Sequence, residues 1–301
     1  MAGLRECDCH ANTLACPYAC MERHLPPGLQ TLCRLPASTA NIAKSSVTRP
    51  TERFSARADH YRRYRPSYPS AALDLLAARC GLRAGTVVAD VGSGTGILSE
   101  QLLERGAQVI GIEPNDAMRK AAEESLAAEP RFRSVAATAE ETTLPQASVD
   151  LWVAAQAFHW FDVPHARREA LRVLRSGGFA ALLWNERPPE PGAFLTEYEA
   201  LLHRHAAEYS TITARRADEA TMQEFLGSTM QVARFPNHQT LDYVGLEGRL
   251  LSSSYAPRPG HAEHEPMLKG LRALFERYQC NGEIVFPYET RVYFAQIKPR
   301  A

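Results

Sequence analysis

The stretch Thr86-Val-Val-Ala-Asp-Val-Gly-Ser-Gly-Thr-Gly96 joins an apolar run to a turn in which glycine alternates with small polar residues. This pattern predicts a buried strand, a tight turn and then a helix over residues 97–105. A second apolar strand, Gln108–Ile112, ends directly before Glu113. In open α/β sheets a glycine turn lets a ligand approach the backbone, and an acid after the next strand accepts hydrogen bonds from ribose hydroxyls. The sequence therefore predicts a site for a nucleoside cofactor.

The residues around the glycines indicate the class of cofactor. A dinucleotide-binding turn needs Gly or Ala three positions after its second glycine, where this chain has Ile97. Asp90 adds a carboxylate that would repel a diphosphate and attract an ammonium or sulfonium group. A dehydrogenase is therefore disfavoured. The predicted ligand carries a ribose and is cationic at its reactive end.

Strand-like and helix-like segments alternate along the chain after residue 86. Further strands are predicted at 132–136, 149–155 and 179–184, with helices at 115–128 and 164–175. Such alternation indicates a parallel sheet covered on both faces. Helices then predominate, before strands at Val285 and at 288–297. We expect a doubly wound, Rossmann-like α/β fold with a seven-stranded, mostly parallel sheet and an antiparallel edge strand. A helical insertion at about residues 188–278 is expected to cap the substrate site.

Composition argues against several classes of partner. The chain has 301 residues, with 34 Lys plus Arg against 34 Asp plus Glu. Affinity for nucleic acid or anionic lipid scales with cationic contacts, so this balance makes nucleic acid an unlikely partner. We find no apolar run of the roughly 18 residues that a membrane span needs, and no secretory signal at the N-terminus. We therefore expect a cytoplasmic protein without membrane association.

The cysteines divide the chain into two parts. Five of the seven fall within the first 33 residues, in a segment that also contains several prolines. We expect residues 1–50 to be a disordered, cysteine-rich N-terminal extension and residues 51–301 to form one domain. A zinc site in the extension is the alternative, but its Cys and His residues lack the usual pairs of closely spaced ligands. We therefore predict no metal site.

Four segments together resemble the motifs of class I S-adenosylmethionine-dependent methyltransferases: residues 88–96, 111–114, 139–140 and 149–153. By this likeness Asp90 and the glycine backbone hold the methionine portion of S-adenosylmethionine, Glu113 the ribose, and the segment around Glu140 the adenine edge. One of Tyr61, Tyr64 and Arg65, in the helix that folds over the cofactor, is expected to touch its carboxylate. The cofactor-binding residues that the resemblance implies are Asp90, Gly92, Ser93, Gly94, Glu113, Pro114, Ala139, Glu140, Gln156 and Tyr64.

A narrower likeness concerns the acceptor. Residues 61–68, 156–162 and 248–255 resemble a branch of small-molecule enzymes that includes trans-aconitate methyltransferases, which esterify a carboxylate. His159 is a candidate catalytic residue, as a general base or a positioning group; the alternative is a histidine held beside Trp160 in a half-buried corner. An arginine would bind a carboxylate through two parallel hydrogen bonds. The expected substrate contacts are His159, Trp160, Tyr255 and Arg258.

These observations predict an S-adenosylmethionine-dependent methyltransferase that acts on a small molecule, with a carboxylate as one candidate acceptor. An RNA or protein methyltransferase would use the same cofactor site, but it should present a basic channel that the balanced charge does not indicate. A non-catalytic protein that binds the cofactor is the second alternative. Monomer and homodimer both stay open.

Overall fold

A computed structural model describes residues 58–214 and 218–298, all within the compact unit Thr48–Ala301. The expectations for residues 1–50, namely the disordered extension and the zinc alternative, lie outside these residues. The helices are α1 (Ala58–Tyr64), α2 (Ser70–Cys80), α3 (Ile97–Glu104), α4 (Asp116–Ser125), α5 (Val163–Val173), α6 (Gly192–His205), α7 (Tyr209–Ala214), α8 (Glu219–Leu226), α9 (Tyr243–Leu251) and α10 (His264–Tyr278). The strands are β1 (Val87–Val91), β2 (Gln108–Ile112), β3 (Phe132–Val135), β4 (Val149–Ala155), β5 (Leu174–Glu186), β6 (Gln231–Leu241) and β7 (Ile284–Gln296).

The seven strands form one sheet in the order β3-β2-β1-β4-β5-β7-β6. The first five strands are parallel to one another, and β7 and β6 are antiparallel. The predicted fold class is therefore confirmed. Because the order reverses at β1, the chain leaves β1 and β4 in opposite directions and opens a crevice at their carboxyl ends.

The antiparallel edge differs from the expectation in two ways. The strands expected at 285 and 288–297 are one strand, β7, which tolerates Pro287 because this half of β7 pairs with β6 alone. The predicted helical insertion is interrupted by β6. Its exposed and half-buried residues alternate and it contains Pro236, so it lacks the apolar run of a central strand. A half-solvated edge strand of this kind gives little hydrophobic signal.

Both faces of the parallel strands are buried. Val88, Leu151 and Val153 pack into the cluster that includes α2 and α3. The intervening residues Ala89 and Trp152 pack on the opposite face, against α5 and α8. This two-sided burial explains the continuous apolar strands in the sequence. Trp152 is fully buried, and replacement of such a side chain by Ala typically costs about 3–5 kcal/mol.

A third cluster of buried side chains joins the cap helices to the sheet. Leu195 of α6, Leu246 of α9 and Met267 of α10 are fully buried and pack in the same cluster as Phe286 of β7. The first half of β7 therefore carries α6, α9 and α10. This arrangement places the residues of these helices beside the carboxyl ends of the parallel strands.

Candidate active site

Four parallel strands end at one edge of the sheet, and a site residue follows each of them. Gly92 follows β1, Glu113 follows β2, Gln156 follows β4 and Arg187 follows β5. All four line one or both of two adjoining cavities. Ligands of open α/β sheets bind at this edge, so the topology brings together residues that are up to 95 positions apart.

Two adjoining cavities make up the site. We call the first the cofactor groove; it is lined by Glu113, Pro114, Ala139, Glu140, Trp160 and Phe161. We call the second the arginine cavity; it is lined by Arg65, Arg187, Arg249, Tyr209, Tyr255 and Tyr288. The shared wall is formed by Tyr61, Gly92, Gly94, Ala155 and Gln156. Asp90 and Ser93, neighbours of the shared glycines, line the arginine cavity.

The glycine turn places backbone where side chains would interfere. Gly92 has φ +69°, and a Cβ there would lie 2.4 Å from the Cβ of Ala157. Gly94 has φ +56° and no atom within 4 Å of the position of a Cβ. Gly92 is thus required by packing. Gly94 instead leaves open the space in which a ligand can approach the backbone.

Asp90 offers a buried carboxylate oxygen to a ligand. Its Oδ2 accepts a hydrogen bond of 2.6 Å from the Ser99 hydroxyl, whereas Oδ1 is buried without a hydrogen-bond partner. Burial is the main reason why the pKa of Asp90 is raised to about 7, despite the Ser99 bond. A cation beside Oδ1 would reverse the effect of burial. The unused oxygen fits the ammonium or sulfonium group that the sequence predicts.

Glu113 is fixed by backbone donors on both oxygens. Oε2 accepts from the Gly94 amide at 2.9 Å and Oε1 from the Asn115 amide at 2.8 Å. Burial raises the pKa of Glu113, against these two hydrogen bonds and the nearby Arg119. Each oxygen keeps a lone pair. The carboxylate can therefore accept two ribose hydroxyls from the cofactor groove.

Three guanidinium groups converge on the arginine cavity. Arg249, 4% exposed, donates from Nε to the Tyr288 hydroxyl at 2.8 Å and from Nη1 to Ser253 Oγ at 3.4 Å. Arg187 donates from Nε to Glu199 at 2.6 Å. Arg65 donates from Nη2 to Ser253 Oγ at 3.2 Å, and its Nε is buried without a hydrogen-bond partner. Burial, with the adjacent charge of Arg249, lowers the pKa of Arg65.

Comparison with known proteins shows which family the sheet region resembles. Residues 89–182 match the family described as a methyltransferase domain. This similarity extends from β1 to β5. Domains of this family use S-adenosylmethionine. Asp90, Glu113 and the open space at Gly94 suit the cationic methionine end, the ribose and the ligand backbone of that cofactor.

Relatives and solved structures agree with this family. An uncharacterised methyltransferase of Mycobacterium tuberculosis is 40% identical over 139 residues, 46% of this chain and 54% of the relative. This chain thus spans about half the length of that relative. A methyltransferase-like protein of Schizosaccharomyces pombe is 24% identical over 250 residues, 79% of this chain and 93% of the relative. A structure from Anaeromyxobacter dehalogenans, provisionally named a type II methyltransferase, has a TM-score of 0.54 and 25% identity, covering 79% of this chain and 100% of its own.

Most of the predicted cofactor residues lie together. The cavities are lined by Asp90, Gly92, Ser93, Gly94, Glu113, Pro114, Ala139, Glu140 and Gln156. Gln156 has φ +57°, an uncommon conformation for a residue other than glycine, and donates from Nε2 to the Asn185 carbonyl at 3.2 Å. Tyr64 lies outside both cavities, because its ring fills the space beside Gly248 of α9. Tyr61, one turn earlier, lines both.

The predicted substrate contacts separate. Tyr255 lines the arginine cavity and Trp160 lines the cofactor groove. His159 lines neither; its ring lies 4.6 Å from the Trp160 ring and 5.4 Å from the Trp184 ring between centroids. Arg258 is exposed and also lines neither cavity. The arginines that do line the arginine cavity are Arg65, Arg187 and Arg249.

Sequence reasoning missed Arg187 and Arg249 as site residues. Arg187 follows a parallel strand, as Gly92 and Glu113 do, so its position was a usable signal. Arg249 lies between buried apolar residues of α9 and belongs to no motif. Within residues 58–214 and 218–298 there is no group of three or more side chains suited to bind a metal ion. Nor does any helix of these ranges have the length and apolar character needed to cross a bilayer.

Proposed function

We propose that this protein transfers a methyl group from S-adenosylmethionine to a small anionic molecule, with a carboxylate as the preferred anionic group. The observation that carries this proposal is the convergence of Arg65, Arg187 and Arg249 on a cavity that shares a wall with the cofactor groove. A planar guanidinium binds a carboxylate through two parallel hydrogen bonds, so arginines that line a cavity suit this acceptor. The likeness of residues 156–162 and 248–255 to carboxylate-esterifying enzymes agrees with it.

The cofactor would supply an activated methyl group on a sulfonium. Among the residues of this chain, Asp90 would hold the cationic methionine end and Glu113 the ribose. Ala139 and Glu140 would border the adenine. Trp160 and Phe161 would form the apolar wall of the groove.

The acceptor side would contribute by positioning the acceptor next to the methyl group. An ionised carboxylate is already a nucleophile and needs no general base, so the position of His159 outside both cavities poses no difficulty. Fixing two reactants in line in a site that excludes water can be worth about 7–11 kcal/mol of the barrier. Arg249, held by Tyr288 and Ser253, provides a rigid anchor for this purpose.

The cofactor assignment can be tested by calorimetry with S-adenosylmethionine. Asp90→Ala and Glu113→Ala should each weaken binding about ten- to a hundredfold, because each removes a charged hydrogen-bond acceptor worth about 1.5–3 kcal/mol. Glu104→Ala, which removes an exposed carboxylate at the end of α3, is the matched control and should bind as the wild type does. Unchanged binding by both site variants would contradict the assignment.

The acceptor is tested with tritiated cofactor and separate panels of carboxylic acids, phenols, amines, RNA and protein. We expect label in the carboxylic acid panel, at least tenfold less with Arg249→Met, and no change with Arg204→Met at an exposed position of α6. Label confined to the RNA or protein fraction would reject a small-molecule acceptor. Tight cofactor binding without transfer to any panel would favour a non-catalytic protein.

A further inference from the structure

The charges around the arginine cavity do not balance among the described residues. Arg187 is paired with the Glu199 carboxylate at 2.6 Å. The hydrogen bonds of Arg65 and Arg249, by contrast, go to neutral oxygens of serine and tyrosine. Within residues 58–214 and 218–298, neither guanidinium group has an ion pair, and the one carboxylate that lines the same cavity, Asp90, is hydrogen-bonded to Ser99 instead. Removing each such charge from water costs several kcal/mol unless a negative charge accompanies it.

Tyr255 is an ionisable group whose negative charge can balance this excess positive charge. It lines the cavity, and its hydroxyl is hydrogen-bonded to Ser253. The same Ser253 oxygen accepts from Arg65 at 3.2 Å and from Arg249 at 3.4 Å. The Tyr255 phenol is thus one hydrogen bond removed from both unbalanced guanidinium groups, and its ring packs on Tyr209 with centroids 4.9 Å apart.

Charged and titratable groups face Tyr255 from every element around it. They are Tyr61 of α1, Arg65 after α1, Tyr68 before α2, Asp90 of β1, Arg187 after β5, Tyr198 and Glu199 of α6, Tyr209 of α7, Arg249 of α9 and Tyr288 of β7. Burial acts to raise the pKa of Tyr255, but Arg249, Arg187 and Arg65 outweigh burial, so the pKa lies below its usual 10. Burial and a negative charge on Tyr255 raise the pKa of the neighbouring Tyr198. Of these two neighbouring phenols, Tyr255 is therefore the one that ionises first.

We propose that Tyr255 is the proton acceptor of the acceptor site, a role that rests on the proposed function and extends it to molecules whose reactive oxygen is still protonated. The O–H bond of the acceptor breaks, and its proton forms an O–H bond on the Tyr255 phenolate. The electron pair stays on the acceptor oxygen, which becomes the nucleophile for the methyl group. The negative charge moves from Tyr255 to the acceptor, so the number of charges in the cavity is unchanged.

This exchange defines a substrate class. A phenol or another acidic hydroxyl can enter neutral and be ionised beside Arg65 and Arg249. A carboxylate enters already ionised, and Tyr255 then takes its proton from water. The cavity should therefore accept acidic hydroxyl compounds in addition to carboxylates, whereas an amine or a neutral alcohol gains nothing from the guanidinium groups.

The first test needs no enzymatic activity. Tyrosinate absorbance near 295 nm is followed from pH 7 to pH 12 for the wild type, Tyr255→Phe and, as control, Tyr278→Phe at the end of α10, which lines neither cavity. We expect one of the eleven tyrosines to ionise before the others in the wild type and in the control, and this early phase to be absent from Tyr255→Phe. Saturating benzoate should move the early phase to higher pH, and neutral benzamide should not. No early phase, or an early phase that survives in Tyr255→Phe, would overturn the proposal.

The role of the guanidinium groups is tested by the pair Arg249→Met and Arg249→Lys. The first removes the charge and should shift the early phase upward; the second keeps the charge and should shift it less. Arg65→Met, at a less buried position, tests the same charge if Arg249→Met does not fold. Retained binding of S-adenosylhomocysteine shows that a variant is folded. If the early phase occurred at the same pH in all folded variants, the arginines would not be the groups that lower the pKa of Tyr255.

A kinetic test separates a catalytic from a structural role. With a phenol acceptor, Tyr255→Phe should lower kcat/KM about a hundredfold and abolish its rise with pH. With a carboxylate acceptor the same variant loses only a wall contact and should lower kcat/KM by a much smaller factor, because no proton is transferred. Equal losses for both acceptors would indicate a structural role and reject the proposal. Failure of methyl transfer with every acceptor would reject the proposed function and leave the titration result intact.

Discussion

The two sides of the site carry opposite charge. On the side of the glycine turn, Asp90 and Glu113 are buried carboxylates whose pKa values are raised mainly by burial. On the side of the cap, Arg65 and Arg249 are guanidinium groups whose hydrogen bonds, among the described residues, go to neutral oxygens. Both Asp90 and Arg249 line the arginine cavity, so a cationic group is favoured beside Asp90 and an anionic group beside Arg249. The charge difference can therefore position two unlike molecules in one crevice without a conformational change.

The largest effect is expected at the turn between the two sides. Gly92→Ala places a methyl group 2.4 Å from Ala157 in a left-handed conformation, so it should destabilise folding by about 2–5 kcal/mol. Gly94→Ala has the same backbone strain but no clash and should cost about 1–2 kcal/mol. Its methyl group instead occupies the ligand's approach, and the affinity for S-adenosylmethionine should fall at least tenfold.

Chemical denaturation and calorimetry separate these two outcomes. Gly92→Ala should show the greater loss of folding stability. Gly94→Ala should lose more cofactor affinity than its smaller loss of stability explains. Gly81→Ala, at a positive φ after α2 with no atom within 4 Å, controls for backbone strain away from the site. If Gly94→Ala binds the cofactor as tightly as Gly81→Ala does, the ligand does not lie in the open space beside Gly94.

The second prediction uses the titration of Asp90. Its pKa of about 7 means that a cationic ligand must displace a proton from the carboxyl at lower pH. Affinity for S-adenosylmethionine should therefore rise about tenfold from pH 5.5 to pH 6.5 and level off above pH 8. Asp90→Asn should bind more weakly and lose most of this dependence, and any remainder would report Glu113. If the affinity of the wild type did not change with pH, the pairing of Asp90 with the cationic end of the cofactor would be contradicted.

Stability of the ligand-free protein should respond to pH with the opposite sign. The folded-state pKa of Asp90, about 7, lies above its unfolded value of 3.8, so the folded protein binds more protons between these limits. Asp90 therefore makes folding less favourable as the pH rises from about 4 to 7. Asp90→Asn should flatten this part of the stability profile, as measured by urea denaturation.

The same division separates what the sequence could predict from what it could not. Asp90, the glycines and Glu113 lie within 24 positions, in a turn whose chemistry depends on local residues, and the sequence was sufficient to place them. Arg65, Arg187 and Arg249 are each more than 60 positions apart, and only the crossing of β5, the cap and α1 brings them together. Arg258 is three positions after Tyr255, yet it faces solvent. Proximity in the chain was informative on one side of the site and misleading on the other.

The third prediction sharpens the contrast by changing one charge on the arginine side. Glu199 neutralises Arg187, and its other oxygen accepts from the Tyr209 hydroxyl. Glu199→Gln keeps an acceptor of similar shape but leaves Arg187 without its anion, so the cavity becomes more positive. Affinity for benzoate should rise about three- to tenfold by calorimetry, and the pKa of Tyr255 should fall further. Weaker benzoate binding would show that Glu199 serves to orient Arg187 rather than to limit its charge.

The smallest effect is expected where α1 is tied to the glycine turn. Arg62 donates to the Thr95 carbonyl at 2.8 Å and pairs with Glu100 at 3.0 Å, and its side chain is 22% exposed. Arg62→Ala removes a largely surface ion pair, so stability should fall by at most about 1 kcal/mol. Tyr61 lines both cavities from the same helix, so a loosened α1 should weaken cofactor and benzoate binding alike, about two- to threefold. Glu100→Gln breaks the ion pair but keeps Arg62 on Thr95 and should leave both affinities unchanged. A loss confined to the cofactor would assign α1 to the glycine-turn side alone, whereas equal losses would make this helix the common wall of two oppositely charged regions.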